Sequence, residues 1–424
     1  MERDKKLILL LVAALATPGC GDDEVASGTP ALETLDTLPT YAVVSTDFSS
    51  TSIAMLDQQF EVIDESWLNS GTTYPGLVAT LSGDVVLPTR QAGDGTFSVI
   101  DRYLTNVVTQ FFVPSGDLNG QLRTQGDTGD SGFSSNPQDL IFVHANSAWV
   151  PRYDPSFDPG ATPENRGNDL YEIDPSNMSP TGRQIDLSSL NTTEMAEGIE
   201  VEVFARPSRG LLIGSTIVVG LDRISGSFDA AGPGAVALVD IEPESVGSVA
   251  LSGLASCGRV VPIPGEPRKI AVACTGFSNP FGDEAQIRAS AGIAVIDVQP
   301  SGANVERVWR AADDSESAVA VDALVALDAR RVLAVASGNF VDTTDILYVI
   351  DLDSGAQEPV LTSTGSYTIG TPAYDPDSGM LYVPDAAANA VIELAEADGG
   401  FVEIGSTSIA PGLGLPPTQV YLLE

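Results

Sequence analysis

The sequence predicts an all-β fold, a seven-bladed β-propeller with four-stranded antiparallel blades. Three observations predict it. A short apolar strand, six times closed by Asp, recurs seven times along the chain. A second apolar strand precedes every copy. The chain then ends on a surplus strand, PPTQVYLLE, of the kind that completes a first blade and closes a ring.

The first repeated strand appears as SIAMLD ending at Asp57, TFSVID at Asp101, DLYEID at Asp174, AVALVD at Asp240, GIAVIDV around Asp297, ILYVID at Asp351 and a degenerate AVIELA at Ala395. Each copy is rich in β-branched residues and followed by turn residues, the composition of a strand. The second strand carries a small residue or Pro in its fourth column: Ser45, Pro88, Pro151, Gly220, Cys274, Ala336 and Pro384. Outer strands follow in VVTQFFV, VGSVALSG, VERVWRA and FVEIGST. Inner strands precede in GLVATL, DLIFVH, GRVVPIP, DALVALD and TIGTPAYD. The first unit lacks its inner strand, which is the place for PPTQVYLLE.

The beginning of the chain divides from this body. Residues 1–19 read as a signal peptide: a basic start, then LILLLVAALA, too short to span a bilayer. The run stops before Thr17-Pro18-Gly19-Cys20, which resembles a bacterial lipoprotein signal in its Gly-Cys and departs from it at Thr17 and Pro18. The resemblance implies a lipid on Cys20. Gly21, where Asp would favour inner-membrane retention, implies the outer membrane. Plain secretion to the periplasm or beyond is the alternative. Residues 20–40 are acidic and Pro/Thr/Gly-bearing and read as a flexible tether. The propeller occupies 41–424.

The net charge is -38, from 58 acids against 20 bases. Such a field repels phosphate backbones and excludes nucleic acid as a partner. It suits a solvated surface, a cationic ligand or divalent cations.

MLYVPDAAANAVIEL (380–394) and ILYVIDLDSG (346–355) resemble the YVTN or YncE-like class of bacterial propellers. The resemblance covers 41–424 and implies the propeller. It implies no shared catalytic motif. Blades three to five depart from the class by long insertions.

The Asp at the strand ends suits a turn, accepting from a backbone N–H two residues on. Asp375 to Gly379, DPDSG, reads as a hairpin turn for the same reason. Cys257 and Cys274 stand equidistant from the Gly265-Glu266 centre of a predicted hairpin, so they face each other and predict a disulfide in an exported protein. His144 is the single histidine, which excludes two-His metal sites. No G-x-S-x-G elbow is present.

The long gaps between the paired strands run from Pro151 to Asp174, Gly220 to Asp240 and Cys274 to Asp297. With antiparallel strands these insertions share one face with the long links 114–138 and 191–200. Long loops gathered on a rigid face mark a binding site. The second strands end there, giving a rim of Asp47, Arg90, Arg152, Asp222 and Asp385, with Arg223 beside it. The Arg side chains either orient an anionic group or neutralise neighbouring Asp. Asp127, Asp130, Asp154, Asp158 and Glu164 in the loops leave calcium open as a cofactor, with Asp154, Asp158 and Glu164 the candidate metal ligands.

Two functions fit this sequence. The first is an envelope-anchored binding or scaffold module for a protein, polymer or small ligand, reaching the membrane through its lipid alone. The second is a lactonase-like hydrolase using a carboxylate-bound divalent metal. The anchor is directly testable. Acyl chains bind membranes with about 0.8 kcal/mol per buried CH₂. Cys20→Ala should therefore release the protein from the membrane or block its processing. Normal processing with unchanged membrane association would refute the anchor.

Overall fold

A computed structural model describes residues 32–126, 133–279, 283–300, 302–311, 323–339, 343–397 and 400–423. Residues 1–19, read above as a signal peptide, and Cys20, Asp127 and Asp130 lie outside them. The repeated strands form as their composition dictates. Tyr41–Thr46 and Thr51–Leu56 are buried at every residue, as continuous apolar runs covered on both faces should be.

Eight antiparallel sheets form among the described residues, seven of four strands and one of three. The first four-stranded sheet takes Tyr41–Thr46, Thr51–Leu56 and Val62–Asn69, with Pro417–Leu422 as its innermost strand. Five further sheets follow in the same inner-to-outer order. Their inner strands are Ile141–His144, Pro207–Ile213, Arg259–Pro262, Ala323–Ala326 and Ala373–Asp375. Seven apolar clusters each join two consecutive four-stranded sheets. One packs Val44, Ile53 and Trp67 of the first against Phe97 and Phe111 of the second. The remaining clusters continue from sheet to sheet. The last brings Tyr382 and Val391 of the final sheet onto Tyr41, Val43 and Val420 of the first. The molecule is a multi-bladed β-propeller.

The second sheet departs from the expected strand assignment. GLVATL forms no strand. The N–H groups of Val78 and Ala79 are held by Gln121 Oε1 at 2.7 and 2.8 Å, which lays this segment across the outermost strand, Leu118–Arg123. The chain then enters the sheet at Val85–Val86, the innermost position, and TFSVID becomes the second strand. Arg90 therefore follows an inner strand. Gln91 beside it bonds the hydroxyl of Tyr421, so Arg90 lies at the end of the ring opposite the expected rim.

The segment expected to be a tether has an anchored end. Leu32 and Leu35 are buried in the first core, and Trp67 Nε1 donates to the carbonyl of Glu33 at 3.2 Å.

The Cys257–Cys274 disulfide is present, with Cα atoms 3.9 Å apart. The hairpin register pairs Arg259 with Ala273, one residue off the symmetric expectation. A wider loop, in which Ile263 N–H bonds Lys269 O, shifts the centre. Cys257 consequently lies just before its strand and donates its N–H to Leu221 in the neighbouring sheet.

The turn role of the repeated Asp holds at several ends. Asp57 accepts from Gln59 N, Asp174 from Ser176 N, and Asp351 from Asp353 N, all within 2.9 Å. Asp101 differs because its strand runs the other way. It is fully buried and grips Ser82 through both oxygens at 2.6 Å.

Ring closure depends on close backbone approach. Thr371 N–H donates to Thr418 O, and Val420 N–H donates to Thr371 O, both at 2.9 Å. A Cβ on Gly370 would sit 1.9 Å from Thr418 O. Gly370→Ala should thus push the closing strand away and cost about 1–3 kcal/mol in chemical denaturation. Gly247→Ala, where a Cβ meets nothing, should change stability far less.

Candidate functional site

The long loops do share one face. The link 153–168 carries a short 3-10 turn at Pro163–Asn165. The Thr192–Ala196 and Ile199–Phe204 hairpin adds Ile224–Ser225 to make the three-stranded sheet. The helix Glu284–Ser290 fills the next insertion, capped by Asp283 accepting from Gln286 N. These insertions stand around a cavity of about 610 Å³. Its wall includes Asp84, Arg102, Tyr153, Ser208, Arg209, Asp222, Gly258 and Arg259.

Asp222 is the one expected rim residue in this wall. It follows the strand Thr216–Leu221 and presses on Gly258, where a Cβ would lie 2.4 Å from its Oδ1. Tyr153 and the Gly258 N–H donate to it, and Arg259 and Arg206 are its cationic neighbours. Burial nevertheless dominates and pushes its carboxyl up to about 6. Burial also raises the Tyr153 phenol well above its usual range.

The other rim candidates are placed elsewhere or already engaged. Arg152 has no exposed surface. It pairs with Asp169 at 2.5 Å, stacks on Tyr171 at 4.6 Å, and donates to the carbonyls of Thr124 and Glu164. A guanidinium so saturated takes the neutralising role that the sequence left open for it, at the end of the strand Ser147–Arg152. Arg223 is buried and donates to Pro233 O at 3.2 Å. Asp385 is buried and accepts from Ser363 Oγ and Ala387 N, both at 2.9 Å. Asp47 is exposed and caps its turn through Ser49 and Ser50.

The metal candidates do not converge. Asp154 pairs with Arg206 and accepts from Asn136 Nδ2 at 3.1 Å. Asp158 holds Gly160 N at 2.8 Å, while Glu164 is exposed in its 3-10 turn. Among the described residues no group of three or more His, Cys, Asp or Glu could hold a metal ion. His144 is exposed at the Ile141–His144 strand end, on the face away from the insertions.

Sequence reasoning missed the cationic half of the cavity. Arg102 lies beside Asp84 at 2.5 Å and donates to Gln138 Oε1 at 3.2 Å. Arg209 and Arg259 stand near the starts of two inner strands. The signal was an Arg next to Gly opening an apolar run, in PSRGLLI and CGRVVPI.

Arg209 is the unusual one. Its side chain is 10% exposed, and NH1 donates to Leu87 O at 2.6 Å. Its nearest carboxylate, Asp139, is 3.7 Å away. That carboxylate is already taken by Thr89 N–H, Thr89 Oγ1–H, Leu140 N–H and Gly210 N–H, all within 2.9 Å. Burial lowers the Arg209 guanidinium to about 10 against the opposing pull of Asp139, and its remaining N–H donors are open where it faces the cavity.

No protein-family model and no curated protein matches the chain. Solved structures do resemble it. A candidate 6-phosphogluconolactonase from Bacteroides fragilis superposes with a TM-score of 0.58 at 9% identity, over 92% of this chain and 99% of that one. A periplasmic gluconolactonase from Pseudomonas aeruginosa gives 0.55 at 13% identity, over 92% and 99%. A protein from Lactobacillus plantarum gives 0.57 at 10% identity, over 92% and 100%. At these identities the likeness establishes the propeller fold.

The Asp222 carboxyl gives a signed pH effect. Its folded value, about 6, lies above the ordinary 3.8. The folded state therefore holds the proton more tightly, and that stabilisation is lost as pH rises from about 4 to about 6. Asp222→Asn removes the charged form. It should be more stable than the parent at pH 8 by about 2 kcal/mol, with the gap closing toward pH 4 in paired urea titrations.

Proposed function

We propose that the protein is an extracytoplasmic binding propeller, lipid-anchored through Cys20, that receives a small anionic ligand over the mouth of its central channel. The observation that carries this is Arg209. It is a nine-tenths-buried cation that faces a roomy cavity with one hydrogen bond and a distant, saturated carboxylate. A ligand carboxylate or phosphate would take up the open N–H donors of this guanidinium, whose fork suits both. Arg102 and Arg259 border the same space. The apolar run before Cys20 supports the export. The periplasmic neighbour is in keeping with it. A small ligand is preferred to a protein or polymer because the charged groups line a concavity.

A second reading is lactone hydrolysis, favoured by Asp222 and by the lactonase names of two structural neighbours. An ionised Asp222 would take a proton from water as the water oxygen bonds the lactone carbonyl. Arg259 would stabilise the oxyanion, and the ring C–O bond would break with protonation of its alkoxide. A divalent metal does not fit this donor set. Asp84 and Asp222, the cavity carboxylates, each neighbour an arginine, and no three-acid group stands among the described residues.

Calorimetric titration with gluconate and 6-phosphogluconate, beside a pH-stat assay on gluconolactone, separates the two. The binding reading expects saturable anion binding that Arg209→Gln weakens at least about tenfold. Arg330→Ala/Arg331→Ala, on the opposite face, should leave it intact. The hydrolytic reading expects turnover rising through about pH 6 and lost in Asp222→Asn. If neither anion binds and the lactone is untouched, both readings fall.

A further inference from the structure

The cavity at the mouth is not the only space Arg209 and Arg259 border. The same two side chains also line a second cavity of about 280 Å³, which runs down the axis between the inner strands. Its chemistry is different. Val261, Pro264, Val325 and Leu422 give surface to a mostly apolar wall, which Leu87, Leu324 and Val420 border from the cores between blades. The inner strands run away from the mouth. Residue 259 stands at the guanidinium end and Pro264 at the far end, about 16 Å apart at 3.3 Å per residue. Charge is thus concentrated at one end of a long apolar space.

We propose that the ligand is an amphiphile, a free anionic head group on a single hydrocarbon chain, with the head at Arg209 and the chain in the axial channel. This rests on the anion-binding reading and adds the class of ligand. A sugar acid would use the polar mouth and leave the apolar wall uncovered. A neutral hydrocarbon would leave the open Arg209 N–H donors unbonded. An alkyl carboxylate satisfies both at once, because each methylene removed from water adds favourable burial while the carboxylate meets the guanidinium. The acidic surface of the protein opposes anionic membranes, which favours a monomeric amphiphile over a lipid still in a bilayer.

The probe is decanoate below its micelle concentration, titrated into the purified full-length protein and compared with acetate and decyltrimethylammonium. Decanoate should bind at least about 100-fold more tightly than acetate, from the buried chain. It should also bind at least about tenfold more tightly than decyltrimethylammonium, from the head charge. Val325→Phe narrows the channel away from the mouth. It should abolish the advantage of decanoate over acetate while gluconate binding persists. Arg209→Gln should remove the preference for the anion, with Arg209→Lys restoring part of it. Decanoate binding no better than acetate, with gluconate bound normally, would overturn the amphiphile and spare the anion site. Equal binding of the two decyl compounds would overturn the placement of the head at Arg209. Capture of the Cys20→Ala protein by phosphatidylglycerol vesicles, as strong as decanoate binding and lost in Val325→Phe, would assign the site to membrane lipid and overturn the free-ligand form.

Discussion

Every blade of this propeller has two apolar faces, and only neighbouring blades can cover them. The closing contact between the last sheet and the first is therefore the constraint on which the rest depends. Tyr382, Val391, Tyr41, Val43 and Val420 must meet, and Gly370 must let the backbone at Thr418 pass. A gap here would expose apolar surface on two sheets together and leave a row of unpaired backbone groups. The axial channel inherits its shape from the same closure, because residues 419–422 form part of its wall.

Charge is distributed by the same logic of burial. Arg152 and Arg206 are wholly or almost wholly buried and stitch the loop insertions to the sheets. Each has a carboxylate, backbone carbonyls and an aromatic face as partners. Breaking either set would strand a buried cation. Arg209 is almost as deeply buried but far less compensated. Asp222 is different: Tyr153, the Gly258 N–H and two arginines attend it, and burial alone raises its carboxyl. Groups left short of partners inside a stable frame are the usual mark of a site that a ligand completes.

The sequence made the fold legible because the strand signal is repeated. One ambiguous apolar run means little, but the same run in the same order becomes an architecture. The second sheet shows the limit. GLVATL and VVLPTR have equal strand character, and only the side chain of Gln121 and the path of the chain over the first sheet decide which one pairs. That single displacement carried Arg90 to the far face. The face that gathers the insertions was legible from connector lengths. The residues of the site mostly were not. Whether an Arg is saturated, as Arg152 is, or keeps open donors, as Arg209 does, depends on groups distant in sequence, such as Asp169 and Asp139. The disulfide was legible although its hairpin register was not, since a one-residue shift still leaves the two sulfurs within reach.

The wall of the axial channel joins segments 330 and 332 residues apart in the sequence. Leu87 N–H reaches Gln419 Oε1 at 3.3 Å, and Gln91 N–H reaches the hydroxyl of Tyr421. An incompletely folded molecule, however well formed its middle sheets, has no such wall and no enclosed channel. The proposed amphiphile would then report a finished ring, since the wall that holds it forms only when these segments have met, and by mass action it would hold them there. Such long-range pairing is slow to form. A ligand present during folding would act as a latch on the finished ring.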